Sequence, residues 1–311
     1  MRRKVLFMLK LHISDETATL KSVIVGVGDH NGPVPTLEEA YDAKTYHTLI
    51  EGTYPSDEEL DREVEGLAKV IEREGVRVLR PRRIPGVNQI FARDVSFVIE
   101  DKLIRANIIP DREAELKAYD DIVAQMDPAK VVTPPEHVHI EGGDVVVVRD
   151  KIFLGTYLSP DYSGYTMART NKYAIGFLKE LFPEKDIIPM ELIKHDTDPY
   201  TGVLHLDCAF QPVGADKCIL FPGGFRHTED WEYLMSFYGP DNCCIIDRQE
   251  LFDMNPNIFS LSPKKVIIDE TFTRLRGWLE RRGLECVTVP YRQVSKLGGL
   301  LRCTTQPLCR E

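Results

Sequence analysis

The sequence has few of the features that assign a chain of 311 residues to a membrane, nucleic-acid or nucleotide-binding class. No apolar run approaches the ~20 residues that span a membrane. Basic residues form no stripe and the formal net charge is −10, so nothing offers the counterion release that drives binding to a polyanion. The segment Gly26-Val27-Gly28 lacks the third glycine and the following helix of a phosphate-cradling loop. We therefore expect no membrane, nucleic acid or nucleotide as partner.

Paired cysteine motifs are also missing. Cysteine occurs seven times, Cys243 and Cys244 are adjacent, and no two form a CxxC pair. This usage predicts reduced thiols rather than a disulfide framework. The basic start of the chain leads into an apolar run that is interrupted at Lys10, and no small-residue cleavage site follows. Both observations predict a cytoplasmic protein.

The chain does contain enough apolar material for a large core. With 43% hydrophobic and 28% charged residues it can form one large domain or two small ones. The acidic balance is easily reconciled with a cationic substrate, although net charge alone decides little.

A repeated hairpin is the main organising feature of the sequence. In each copy an apolar strand meets a polar turn, then a lysine, then a second apolar strand. The copies lie at 96–104, 146–153, 211–220 and 259–268.

Predicted helices alternate with these hairpins. A capping box at Ser56 and Glu59 opens a helix that runs to about Glu74 and ends at Gly75. Further helices are predicted at 112–126, 168–181, 229–238 and 272–282, with Gly239 and Gly283 ending the last two. The chain therefore contains about five units of helix, strand and hairpin, the last truncated around Cys303. If such units form a ring, the residues at the beginning of the corresponding strand in each unit face its centre.

Polar residues recur where the first strand of each hairpin begins. They are Asp94, Asp144, Asp207 and Asn257, with His205 and Glu141 beside them. Asp and Asn also favour turns that flank strands, so any one of them has an ordinary structural explanation. Four in register predict a central acidic pocket, which would bind a cation.

Cys303 is the candidate nucleophile. It follows Gly298-Gly299-Leu300-Leu301-Arg302, where two glycines allow close approach of the backbone to a ligand. A free cysteine is more often a small buried hydrophobe. A histidine and carboxylates elsewhere in the chain, His205 and Asp207 among them, supply what a thiolate-and-base site needs.

Five motifs, in order, resemble the guanidino-group-modifying enzymes: arginine deiminases, dimethylarginine dimethylaminohydrolases and amidinotransferases. They are NQIFARD at 88–94, EGGD at 141–144, RTN at 169–171, HLD at 205–207 and the GG-to-Cys ending at 298–303. The resemblance extends from about Leu20 to Arg310. It implies an α/β fold, a five-bladed α/β propeller with pseudo-fivefold ββαβ-type repeats around a central active site. It also implies one catalytic domain over 1–311, with 1–19 as an N-terminal extension.

The resemblance further implies roles for the catalytic residues. Cys303 would attack the guanidinium carbon and His205 would act as general acid and base. Glu141 is the first candidate to orient His205, and Asp144 is the second.

Substrate-binding roles are carried over in the same way. Asp94 and Asp207 would bind the guanidinium nitrogens, and Phe91 would pack on the substrate. Asn88 and Arg169 would hold its amino-acid end.

These roles imply a cysteine-dependent hydrolase that acts on arginine or a simple derivative through a covalent amidino-cysteine intermediate and gives a ureido product. The expected partner is a small cationic guanidino substrate, with no metal or organic cofactor, and a homo-oligomer is left open. Three alternatives remain. One is an amidinotransferase that passes the amidino group to an amine. Another is a metal-dependent enzyme that uses His137, His139 and Glu141. The third is a catalytically silent guanidine-binding protein.

Overall fold

The computed structural model describes residues 8–311. The first seven residues, part of the predicted cytoplasmic N-terminus, lie outside the described residues. None of the helices in the described part of the chain is both long and apolar enough to cross a bilayer.

Fifteen strands in residues 8–311 form five three-stranded sheets, in the orders β15-β1-β2, β3-β4-β5, β6-β7-β8, β11-β10-β9 and β12-β13-β14. The strands are β1 Leu20–Val25, β2 Arg77–Leu79, β3 Ser96–Ile99, β4 Lys102–Arg105, β5 Val131–Val132, β6 Val145–Val148, β7 Lys151–Thr156, β8 Asp186–Glu191, β9 Phe210–Val213, β10 Lys217–Leu220, β11 Cys243–Ile245, β12 Phe259–Ser262, β13 Lys265–Asp269, β14 Glu285–Val289 and β15 Thr305–Arg310. Five small mixed sheets confirm the predicted propeller-like α/β fold.

All four predicted hairpins are present. In each, two antiparallel strands are followed by a crossover segment and a third strand that pairs in parallel with the second strand. The parallel pairing requires that crossover, because a tight turn cannot join two parallel strands. The ββαβ unit therefore follows from the alternation of hairpins and helical segments in the sequence.

Eight α-helices occur in the described residues: α1 Ala43–Ile50, α2 Asp57–Arg73, α3 Ala92–Val95, α4 Asp120–Val123, α5 Tyr173–Leu181, α6 Thr228–Tyr238, α7 Arg248–Phe252 and α8 Thr273–Glu280. The capping box of α2 is formed as predicted, and Gly75, Gly239 and Gly283 adopt positive φ.

Two helix predictions need correction. The predicted helix at 112–126 is a 3₁₀ segment, Pro110–Tyr119, followed by the single α-helical turn of α4. The predicted helix at 168–181 begins only at Tyr173. Before it, the backbone bonds to other segments: Thr170 O accepts the N–H of Tyr157, and Asn171 N–H donates to His139 O.

The fifth sheet is complete rather than truncated. β15 pairs antiparallel with β1, which pairs in parallel with β2 across α1 and α2. The two ends of the chain thus supply the hairpin of the fifth unit. A pattern of neighbouring strands in the sequence cannot predict this hairpin, since its two strands lie at opposite ends of the chain.

The first strand of each unit is the innermost. Every residue of β3, β6, β9 and β15 is buried, whereas the third strands are partly exposed. Residues 8–19, predicted as an extension, pack onto this ring: Leu9, Leu11 and Ile13 are buried. Glu16 reaches the ring interior, where it pairs with Arg302 at 2.8 Å.

Candidate active site

Short turns that precede the innermost strands carry the predicted polar residues to the centre. Asp94 lies in α3, Asp144 in the 3₁₀ turn Gly142–Asp144, and Asp207 in the 3₁₀ turn Leu206–Cys208. These turns contact one another. Arg93 N–H donates to Cys303 O at 3.0 Å, and Leu206 N–H donates to Asp144 Oδ1 at 2.9 Å. The repeat therefore brings together side chains that are far apart in sequence.

Cys303 lies between an amide and a carboxylate. Asn257 Nδ2 donates to Cys303 Sγ at 3.2 Å, and Cys303 N–H donates to Asn257 Oδ1 at 3.1 Å. On the other side, Sγ lies 3.7 Å from Asp207 Oδ2. Its interaction with the Cys208 thiol, its burial and the charge of Asp207 all raise the pKa of Cys303 well above its usual value. Without a nearby cation the sulfur is therefore held as a thiol.

His205 is held by Glu141. Its Nε2 lies 2.8 Å from Glu141 Oε2, while Nδ1 has no hydrogen-bond partner in residues 8–311 and lies 3.7 Å from Asp94 Oδ1. Burial lowers the pKa of His205, but Asp94 and the hydrogen bond with Glu141 outweigh it, and the pKa rises to about 9. The imidazole is thus a cation at neutral pH, with one N–H free for a ligand.

The two candidate carboxylates for orienting His205 have different positions. Glu141 contacts the imidazole ring of His205. Asp144 instead accepts the backbone N–H of Leu206, the residue that follows His205 in the chain. Burial raises the pKa of Asp144. For Glu141, burial also acts to raise the pKa, but Arg169 and His205 lower it further, and the net shift is downward. Glu141 is therefore the charged partner of His205.

Both predicted guanidinium-binding carboxylates have one oxygen held by an internal arginine. Arg112 Nη1 donates to Asp94 Oδ2 at 2.7 Å, and Arg302 Nη1 donates to Asp207 Oδ2 at 2.9 Å. The other oxygens are less well satisfied. Asp94 Oδ1 has no partner in residues 8–311, and Asp207 Oδ1 accepts only the weak Cys208 thiol donor at 3.5 Å. Such buried acceptors favour a ligand with N–H groups.

Two glycines allow close packing in the site. A Cβ on Gly143 would lie 2.6 Å from Cγ of His205, so only glycine lets the imidazole reach Glu141. A Cβ on Gly299 would lie 2.2 Å from Cε1 of Phe91. Phe91 is buried against the segment that leads to Cys303, and its contact with the substrate stays a prediction.

The two residues predicted to hold the amino-acid end of a substrate differ in position. Asn88 lines a cleft of about 340 Å³ and lies 3.4 Å from the Tyr41 hydroxyl. Arg169 is fully buried and donates to Thr166 O, Glu141 and Tyr41 O. Because these donors are all engaged by the protein, the geometry gives Arg169 a role in holding Glu141 and does not support its predicted contact with substrate.

The metal site predicted at His137, His139 and Glu141 is not formed in residues 8–311. His137 and His139 contact Tyr173 and Tyr162, and they form no ligand cluster with Glu141 in residues 8–311. A different trio, Asp94, Glu141 and His205, has ligand atoms within 4.8 Å of one another.

Arginine side chains already neutralise that trio. Arg112 and Arg169 pair with its two carboxylates at 2.7 and 3.1 Å, and two such cations oppose a bound metal ion.

Several residues that build the site have contacts that the sequence does not predict. Asn257 belongs to the register of polar strand starts, but that register does not predict its contact with Cys303. Arg112 and Arg302 are missed, because an internal arginine has no periodic signal. Arg302 directly precedes Cys303, and that adjacency is the available clue.

No family model matches the chain. Its curated relatives include an arginine deiminase and an amidinotransferase. The chain is 27% identical over 234 residues to the uncharacterised protein YkgA of Bacillus subtilis, 75% of this chain and 74% of that protein. It is 25% identical over 203 residues to arginine deiminase of Mycoplasma capricolum, 55% of this chain and 47% of the deiminase. It is 22% identical to mitochondrial glycine amidinotransferase of Xenopus laevis, over 94% of this chain and 81% of the transferase.

Solved structures show the same fold. The amidinotransferase SxtG of Microseira wollei has a TM-score of 0.75 at 18% identity and covers 97% of both chains. The N-terminal domain of the cyanobacterial arginine dihydrolase ArgZ has a TM-score of 0.75 at 16% identity, covering 93% of this chain and 97% of that chain. The fold and the curated relatives agree with the motifs, and they support the resemblance of this chain to the guanidino-group-modifying enzymes.

Proposed function

We propose that the protein is a cysteine-dependent hydrolase of the guanidino group of arginine or a simple arginine derivative. The observation that carries the proposal is the placement of Cys303 beside Asp207, with His205 beside Asp94, at the centre of the ring. In residues 8–311, Asp94 Oδ1 accepts no hydrogen bond and Asp207 Oδ1 accepts only the Cys208 thiol. Two such oxygens fit the N–H groups of a planar guanidinium, through charge-assisted hydrogen bonds.

The substrate itself would activate the nucleophile. A guanidinium carbon is a poor electrophile, because its charge is delocalised over three nitrogens, so a thiolate is required. The pKa of Cys303 is raised by its contact with Cys208, by burial and by Asp207. A cationic guanidinium between the two aspartates opposes the Asp207 effect and favours loss of the thiol proton.

The covalent step then follows from the position of His205. The thiolate forms a bond to the guanidinium carbon, one C–N bond breaks, and the departing ammonia or amine takes a proton from Nδ1 of His205. Water next attacks the amidino-cysteine and returns a proton to His205. The C–S bond breaks, releasing the ureido product and the Cys303 thiolate.

Amidino transfer is the second candidate. In that reaction the C–N bond to the substrate side chain breaks, the side-chain amine leaves with a proton from His205, and an acceptor amine in place of water then attacks the bare amidino group on Cys303. The relationship to glycine amidinotransferase over 94% of the chain supports it. The EGGD and RTN segments favour the hydrolase.

A product assay separates the two reactions. We expect the purified protein to convert arginine, without any acceptor, into a ureido product and ammonia. Glycine or ornithine should not be required. If turnover appears only with such an acceptor, and a new guanidino compound accumulates, the protein is an amidinotransferase.

A further inference from the structure

A small cavity borders the elements that carry the catalytic side chains. Its volume is about 40 Å³, room for a few heavy atoms given the ~10–15 Å³ that one water needs. Cys208, which follows Asp207, forms part of its wall, and so does Leu204, which precedes His205. Gly298, at the start of the segment that leads to Cys303, forms another part. The cavity therefore adjoins the site on the side of the nucleophile.

Two charged side chains of opposite sign line this cavity. They are Asp42 and Lys44, among walls otherwise formed by apolar residues and glycines. Asp42 precedes helix α1, where Oδ1 accepts the backbone N–H of Thr45 at 2.8 Å. Burial raises the pKa of its carboxyl group.

Lys44 has no counterion in the described part of the chain. Its Nζ donates to Phe252 O at 2.8 Å and lies 2.9 Å from the centroid of the Phe252 ring, and no carboxylate of residues 8–311 forms an ion pair with it. Burial and the charge of Arg292 lower its pKa to about 7. An ammonium without a carboxylate partner gains from an anionic ligand.

We infer that this cavity binds the α-amino-acid end of the guanidino substrate, with its carboxylate on Lys44 and its ammonium on Asp42. The inference rests on the proposed function and narrows the substrate class to guanidino amino acids. Arg169, predicted to hold this end, is engaged by Glu141 and backbone carbonyls, so Lys44 takes over its role.

Two variants and three substrates separate the contributions of Lys44 and Asp42 to substrate binding. Lys44→Met keeps the apolar stem beside Phe252 and removes the charge. Asp42→Asn keeps an oxygen that can cap α1. Arginine carries both charged groups at its end, agmatine lacks the carboxylate, and 5-guanidinopentanoate, which has the same chain length, lacks the ammonium.

We expect Lys44→Met to raise KM for arginine and for 5-guanidinopentanoate by about 10-fold or more, the loss of one charge-assisted hydrogen bond. KM for agmatine should stay within about twofold, and Lys44→Arg should restore KM for arginine. Asp42→Asn should raise KM for arginine and agmatine but not for 5-guanidinopentanoate. Lys179→Met, which removes an exposed lysine of α5, serves as the matched control and should change none of them.

The assignment is overturned if Lys44→Met leaves all three KM values unchanged or raises them equally while the wild-type protein turns over guanidines. It is also overturned if the wild-type protein prefers agmatine to arginine. The proposed function fails in a different way: the wild-type protein would turn over none of the three compounds and would gain no mass on Cys303, and the assignment would fall with it.

Discussion

At the level of single residues, the close approach of Gly143 to His205 constrains the position of the imidazole. A methyl group at this position would lie 2.6 Å from Cγ and 2.7 Å from Nδ1 of the imidazole. The ring would have to move, and a displacement of about 1 Å at a catalytic group costs about 100-fold in rate.

We therefore expect Gly143→Ala to lower kcat by about 100-fold while the protein stays folded, measured by steady-state kinetics with circular dichroism as the check on folding. Gly176→Ala is the matched control, because a Cβ there meets nothing within 4 Å. Gly176 lies inside α5, so its replacement should stabilise the protein by about 0.5–1 kcal/mol and leave kcat unchanged. Normal kcat in Gly143→Ala would contradict the placement of His205.

At the level of elements, the 3₁₀ segment Pro110–Tyr119 supports the site from behind. Arg112 lies in its first turn, bonded to Glu115 at 2.7 Å and to Asp94 at 2.7 Å, all three side chains buried. This ion-pair network gives the segment a structural reason to depart from the α-helix that its sequence predicts.

Removing the shared cation should be costly. Arg112→Met leaves two buried carboxylates without their partner, and we expect the free energy of unfolding to fall by about 3–5 kcal/mol, measured by urea denaturation. Arg105→Met removes a surface partner of Asp120, a pair at 3.1 Å, and should cost less than about 1 kcal/mol. Equal losses in the two variants would show that the buried network does not stabilise the fold.

At the level of the whole molecule, the ring is closed by the two ends of the chain. β15 begins shortly after Cys303 and pairs with β1, while Glu16 from the N-terminal segment pairs with Arg302 at 2.8 Å and with Arg93 at 3.5 Å. Arg302, the residue before the nucleophile, is thus held by a side chain from the N-terminal segment.

Glu16 makes this closure sensitive to acid. Burial acts to raise its pKa, but Arg302, Arg93 and Arg310 outweigh burial and lower the pKa to about 2. A depressed folded-state pKa gives a stabilisation that is present above the ordinary value near 4.5 and is lost as pH falls toward 2.

We expect this contribution to be on the order of 3 kcal/mol. Unfolding free energies at pH 7 and pH 3 should differ less in Glu16→Gln than in the wild-type protein. Glu180→Gln, at an exposed position of α5, should keep the wild-type difference. An unchanged pH dependence in Glu16→Gln would contradict the role of Glu16.

Much of this arrangement can be predicted from the sequence because the repeat is periodic. Hairpin lysines and polar strand starts recur along the chain, and that register alone identifies Asp94, Asp144 and Asp207. Charge pairing between distant residues has no such period. For this reason the internal arginines, the engagement of Arg169 by Glu141 and the N-terminal half of the fifth hairpin cannot be found in the same way.

The central claim is that Cys303 bonds to the guanidino carbon of the substrate. Intact-mass measurement after acid quenching, with arginine in excess, tests it most directly, in the wild-type protein and in His205→Ala, where loss of the acid and base should slow release of the intermediate. We predict a mass gain equal to arginine less ammonia, mapped by peptide analysis to Cys303 and absent from Cys303→Ser, whereas a gain of one bare amidino group would indicate amidino transfer. No gain in either protein during turnover, a gain on another cysteine, or turnover by Cys303→Ser would contradict the proposed mechanism.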